Sequence, residues 1–178
     1  MKKILNIGFP LLIIQLASCS SEKDSKLFFS NNIESSYVWD EHPPSSIVKF
    51  DKAHSGNYVC KMDVNNPFSI TYNMRVKDIS PKPLSKVKVS AWFMLTENNS
   101  EQNLIINILD SSMQKSFEWL ARNAAEDIKE LNQWGRVEQT IDLTQKNRNN
   151  PDNVIRIYAA NGRGEPVYVD DIEIQFEE

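Results

Sequence analysis

Trp92, Tyr158, Arg75, Arg156, Asn107 and Glu118 are of the types that recognition surfaces use. Strand alternation can place them on one face. Successive side chains of a strand point to opposite sides of its sheet. Val89, Ala91, Phe93 and Leu95 form an apolar side, so Trp92 stands on the other with Lys88, Ser90 and Met94. Ile155, Ile157 and Ala159 leave Arg156 and Tyr158 outward in the same way, and Asn73 and Arg75 lie opposite Phe68, Ile70 and Tyr72. The chemistry is non-covalent: rings that stack on an apolar ligand face, and planar polar groups that bond hydroxyls. A loop over Trp92 would instead make it part of the core, and both readings stay open. Phe117 and Trp119 share one face of their strand, as core or as a second platform. Asp170 alternates with Ile172, Ile174 and Phe176 and is expected to point inward. A buried carboxylate is costly unless a cation, a lysine or backbone N–H groups neutralise it.

Catalytic patterns are missing. The chain holds no Gly-x-Ser-x-Gly, no His-Glu-x-x-His and no glycine-rich phosphate loop. Glycoside hydrolysis needs only two suitably spaced carboxylates, but a single sandwich of this size rarely supplies a walled cleft, so no enzyme is expected. The two histidines, His42 and His54, do not make a transition-metal site, and His54 reads as a turn cap. Cys60 sits in the alternating stretch Tyr58-Val59-Cys60-Lys61-Met62 and reads as a small buried hydrophobe.

Cys19 is different. It follows Lys2-Lys3, an apolar stretch from Ile4 to Leu16, and Ala17-Ser18. That is the order of a secretory signal, and its apolar part is too short to span a bilayer. Leu16-Ala17-Ser18-Cys19 resembles a bacterial lipobox, which implies cleavage before Cys19 and lipid on its sulfur and new amino group. The 160 residues that remain carry 18 basic against 24 acidic side chains. This balance argues against nucleic acid. Residues 20–26 read as a polar tether. They resemble the acidic segments that send some Bacteroidetes lipoproteins to the cell surface. Seven residues reach only about 25 Å, so the domain is expected beside an outer membrane, with its facing side open.

The rest of the chain, residues 27–178, reads as one domain of about ten strands. Expected strands are 46–51, 58–64, 68–76, 86–95, 104–109, 115–120, 137–143, 154–160 and 167–176, separated by Asn-, Pro- and Gly-bearing turns. Residues 120–131 could form a short connector helix. The fold class is all-β, a two-sheet antiparallel β-sandwich.

Five segments in order resemble the carbohydrate-binding modules of the cellulase and xylanase type, which are galactose-binding-like jelly rolls. They are Asn32-Ile33-Glu34-Ser35, Ala53-His54-Ser55-Gly56-Asn57-Tyr58, Val89-Ser90-Ala91-Trp92-Phe93, Asn132-Gln133-Trp134 to Ile141, and Ile157-Tyr158 with Val167 to Ile174 and its Asp170-Asp171 pair. The resemblance implies a structural Ca²⁺, with Glu34, Asp170 and the turn at Asn57 as ligands. It also implies a polysaccharide or glycan as the partner of the six residues above. The expected protein is a monomeric, lipid-anchored, non-catalytic envelope module that binds carbohydrate. The alternative is a structural or protein-interaction sandwich without a sugar ligand.

Overall fold

The computed structural model describes residues 27–34, 39, 46–99, 101–145 and 147–178. The signal segment, Cys19, the tether and His42 lie outside them. The elements in chain order are β1 (Leu27–Asn31), β2 (Ile47–Lys49), β3 (Tyr58–Met62), β4 (Tyr72–Arg75), α1 (Val76–Ile79), β5 (Lys86–Leu95), β6 (Gln102–Leu109), β7 (Ser116–Asn123), α2 (Ala124–Asp127), β8 (Trp134–Asp142), β9 (Val154–Asn161) and β10 (Val167–Glu177).

Two antiparallel sheets form the expected jelly-roll sandwich. The first runs β2-β3-β10-β5-β8 and the second β4-β9-β6-β7. One edge of β10 is shared: β3 pairs with Val167 to Val169, and β1 with Ile172 to Phe176. β5 occupies the other edge along almost its whole length. The core follows the period-two pattern. Val87, Val89, Ala91, Phe93 and Leu95 of β5 join Leu104, Ile106 and Ile108 of β6 and Ile155, Ile157 and Ala159 of β9 in one cluster. Tyr72 and Phe176 are among its largest members. Phe29 lies 5.4 Å and Trp39 5.5 Å from the Tyr72 ring. Each such side chain contributes about 1.5–3 kcal/mol by leaving water. Cys60 lies in this core, where burial pushes its thiol up to about 11, a poor nucleophile.

Three expectations shift locally. The connector helix shrinks to α2, capped by Asn123, whose side chain accepts from the Ala125 N–H at 2.8 Å. β7 runs on to Asn123 because its ladder with β6 continues to Asn103. The strand expected from Phe68 begins only at Tyr72, since Ser69 bonds β9 through its own hydroxyl and N–H. Phe68 therefore leaves the apolar side and is 54% exposed.

Candidate functional site

The outer face of the second sheet gathers most of the recognition residues in register. Asn73 of β4 lies opposite Arg156 of β9, Arg156 opposite Asn107 of β6, and Asn107 opposite Trp119 of β7. One cross-strand row thus spans all four strands, about 14 Å at the usual strand spacing. The next row is Tyr158, Ile105 and Ala121. Phe68 meets the Tyr158 ring edge-on at 5.7 Å. Trp119 is 56% exposed, whereas Ile105 between these rings is only 4% exposed. Apolar area is thus concentrated where polar groups border it.

The polar groups are held in place. Arg156 Nε donates to Asn73 Oδ1 at 3.3 Å, and its Nη2 lies 3.4 Å from Met113 Sδ. The Ser116 hydroxyl donates to Asn107 Oδ1 at 2.7 Å, which orients the Asn107 amide nitrogen away from that bond. Arg75 stands two residues along β4 from Asn73, on the same side. The β6–β7 turn is built around Asp110, whose Oδ1 accepts from the Gln114 and Lys115 N–H groups at 3.0 and 3.2 Å. That turn carries Ser111 and Met113 beside Asn73 and Arg75, and together they line a cleft of about 430 Å³.

Two of the six expected residues fall elsewhere. Trp92 is in β5, so it belongs to the first sheet and faces the opposite side of the sandwich from Tyr158 and Arg156. His54 stacks on it at 3.9 Å, and His54 Nδ1 lies 2.6 Å from Asp171 Oδ2. His54 of the 53–57 turn therefore covers one face of Trp92, which is half-buried and still lines a cleft of about 520 Å³. Glu118 pairs with Ile108, an inward position, and its Oε2 bonds Arg148 Nη2 at 2.6 Å. A bulge at Phe117 explains this. Phe117 packs against the core while Trp119 faces out, so the two do not share a face. Trp119 took the place expected for Trp92. Its strand parity was legible, but alternation alone could not choose between core and platform.

The residues expected around Ca²⁺ bind one another's backbone. Glu34 Oε1 accepts from the N–H groups of Asn57 and Tyr58 at 2.6 and 2.7 Å. Gly56, at φ +60°, leaves room for that carboxylate, since a Cβ there would meet Glu34 Oε1 at 2.4 Å. Asp170 is fully buried, yet it lies opposite Trp92 and not among the inward residues. An extra residue, Asp171 at φ +43°, forms a bulge that reverses the alternation. Asp170 accepts from the Ser55 N–H at 3.0 Å and the Asp171 N–H at 2.8 Å. Burial still pushes its carboxyl up to about 6. Asn57 contributes an N–H where a cation would need an oxygen. Among the described residues, no three His, Cys, Asp or Glu side chains gather around one point. This donor set serves the carboxylates.

No family model and no curated protein matches the chain. Several solved structures resemble it at low identity. The CBM22-1 xylan-binding domain of Paenibacillus barcinonensis Xyn10C is 9% identical with a TM-score of 0.48, covering 84% of this chain and 94% of that one. The C-terminal CBM6 of LamC, a laminarinase of Zobellia galactanivorans, is 11% identical with a TM-score of 0.44, covering 83% and 98%. A cyclase from Fischerella sp. TAU is 9% identical with a TM-score of 0.49, covering 85% and 84%. Modules that bind glycans and a cyclase resemble the chain about equally, so no ligand or activity in those names passes to it.

Proposed function

We propose that this protein is a non-catalytic, lipid-anchored envelope module that binds carbohydrate on the outer face of its second sheet. The observation that carries the reading is the cross-strand row Asn73, Arg156, Asn107 and Trp119, bordered by Tyr158 and Phe68. A pyranose ring has an apolar C–H face that stacks on Trp119 or Tyr158, and hydroxyls that suit amide and guanidinium groups. A row about 14 Å long accommodates a short stretch of polysaccharide.

A glycan array on the full-length chain, repeated with Trp119→Ala, tests the binding. Retention of plant, host or microbial polysaccharides that the variant loses supports it. Silence across the array, or binding that Trp119→Ala leaves intact, overturns it in favour of a protein-interaction sandwich. Anchoring is tested separately. Cys19→Ser should move the protein from the membrane fraction to the soluble fraction, and continued membrane retention would refute a lipidated Cys19.

A further inference from the structure

The sequence contains six arginines. Four are ion-paired: Arg122 with Glu126 and Asp127, Arg136 with Glu138 and Glu173, Arg148 with Glu118, and Arg163 with Glu101. Among the described residues, Arg75 and Arg156 pair with no carboxylate, and they are neighbours on the face that carries Trp119. Asn73 lies opposite Arg156, and Arg75 is two positions further along β4. That makes them diagonal cross-strand neighbours, whose side chains can reach one site. The groups beside Arg156 are neutral: Asn73 and Met113 touch it, and Asn107 follows it in the row. The acids nearby do not cancel both charges. Asp152 feels Arg75, but it bonds Lys77 Nζ at 2.8 Å. Asp78 is the one carboxylate lining the cleft beside Arg75. In a chain with net charge −4, two adjacent guanidiniums that form no ion pair among the described residues are a local exception.

We infer that the glycan taken by this face is acidic, with Arg75 and Arg156 holding a carboxylate or sulfate ester while Trp119 and Tyr158 stack on its rings. This inference rests on the carbohydrate-binding reading above and narrows its substrate class. A planar guanidinium fork matches the oxygens of both anions, and a site between two such forks excludes neutral competitors by leaving its charges unmatched.

The test measures affinity of the full-length chain for polygalacturonate, dextran sulfate, neutral xylan and a neutral β-glucan, at low and high salt. The proteins compared are wild type, Arg75→Gln/Arg156→Gln and Trp119→Ala. One acidic polymer should be held at least about tenfold more tightly than the neutral ones, as expected for charge-assisted bonds. The double arginine variant should erase that preference, and Trp119→Ala should weaken every polymer. Which acidic polymer binds tells carboxylate from sulfate ester. Equal affinity for neutral polymers, unchanged in the arginine variant, overturns the acidic class and leaves the carbohydrate reading intact. Acidic binding that survives Trp119→Ala and vanishes in salt is non-specific attraction and overturns the inference. If no polymer binds the wild type, both readings fall. Matching melting curves of the three proteins would show that a lost preference is not lost folding.

Discussion

The two outer faces of this sandwich are built from the same alternating strands and are used in opposite ways. On the first sheet, charge is cross-linked. Lys86 meets Glu177 at 2.8 Å, Lys88 meets Glu138 at 2.6 Å, and Arg136 bridges Glu138 and Glu173 at 2.5 and 3.1 Å. Each exposed pair contributes little to stability, but together they leave few charges for a partner. Of the aromatic side chains of that face, Trp92 lies under His54 and Tyr168 stacks on Phe50, while Phe28 is exposed beside Lys88 and Arg136 of the ion-paired network. On the second sheet Trp119 and Phe68 stand in solvent, Arg156 faces an amide and a thioether, and Arg75 lines a cleft with Asp78 without an ion pair to it. The difference teaches that composition of a face says less about binding than whether its own neighbours already satisfy it.

Exchanging the two tryptophans for alanine tests that contrast most severely. Trp92→Ala removes a ring packed between β5 and the 53–57 loop and should cost about 3 kcal/mol of stability, with glycan affinity unchanged once the variant is folded. Trp119→Ala should leave the denaturation midpoint within about 0.5 kcal/mol of wild type, as for other surface changes. It should weaken binding by about 30-fold, as for an aromatic anchor at the centre of an interface. Paired chemical denaturation and affinity measurements check both. The reverse assignment, stability from Trp119 and binding from Trp92, would sink the comparison.

This contrast was half legible in the sequence. Alternation correctly set Trp92, Arg156 and Tyr158 away from the core, because period two holds wherever a ladder is regular. It failed at three particular places. Asp171 and Phe117 are bulge residues, and one extra residue reverses every inside–outside assignment beyond it. Asp170 was therefore expected inward and Glu118 outward, and both assignments inverted. The third failure was topological. β5 and β9 belong to different sheets, and no local pattern states which strands pair. The 53–57 turn was visible as Ala-His-Ser-Gly-Asn-Tyr, but its landing place on the β10 bulge is set by contacts more than 110 residues apart.

That landing place gives the next largest effect. Burial pushes the Asp170 carboxyl up to about 6, and the N–H bonds from Ser55 and Asp171 only partly oppose this. The folded protein therefore binds this proton more tightly than the unfolded chain, where the ordinary value is 3.8. This group's contribution is greatest below about pH 4 and falls as pH rises to about 6, by some 2–3 kcal/mol at most. His54 and Asp171 are the titratable neighbours that also face the site. Other carboxylates, such as Asp63 and Asp142, are shifted down and act in the opposite direction. The diagnostic is thus the difference between wild type and Asp170→Asn. The asparagine form should gain relative stability as pH rises through that window. A flat difference across pH 4–6 would show that Asp170 titrates normally.

Removing the imidazole should do less. His54→Ala loses the contact to Asp171 and the ring over Trp92 but keeps the Ser55 N–H on Asp170. A loss of about 1 kcal/mol is expected, with Trp92 fluorescence moving towards that of a solvated indole. An unchanged spectrum would mean that the loop stays closed without His54, and that the first face is covered by its backbone alone.

The smallest expected effect is none. Anything that binds only the folded state must raise its stability, so a resident Ca²⁺ would separate melting curves taken in Ca²⁺ and in EDTA. Here Glu34 Oε1 already accepts two N–H groups from the 56–58 turn, and Asp170 accepts one from Ser55 and one from Asp171. A cation arriving there would share these carboxylates with N–H groups that already supply positive charge to them, and so would gain less than at a bare pair of acids. Coincident midpoints are therefore expected, and Glu34→Gln should lower stability equally with and without Ca²⁺, since an uncharged amide oxygen is a weaker acceptor for the two donors than the carboxylate oxygen that now takes both. A Ca²⁺-dependent rise that Glu34→Gln abolishes would instead make the first face a metal-clamped scaffold, and would sharpen its contrast with a second face that has no such need.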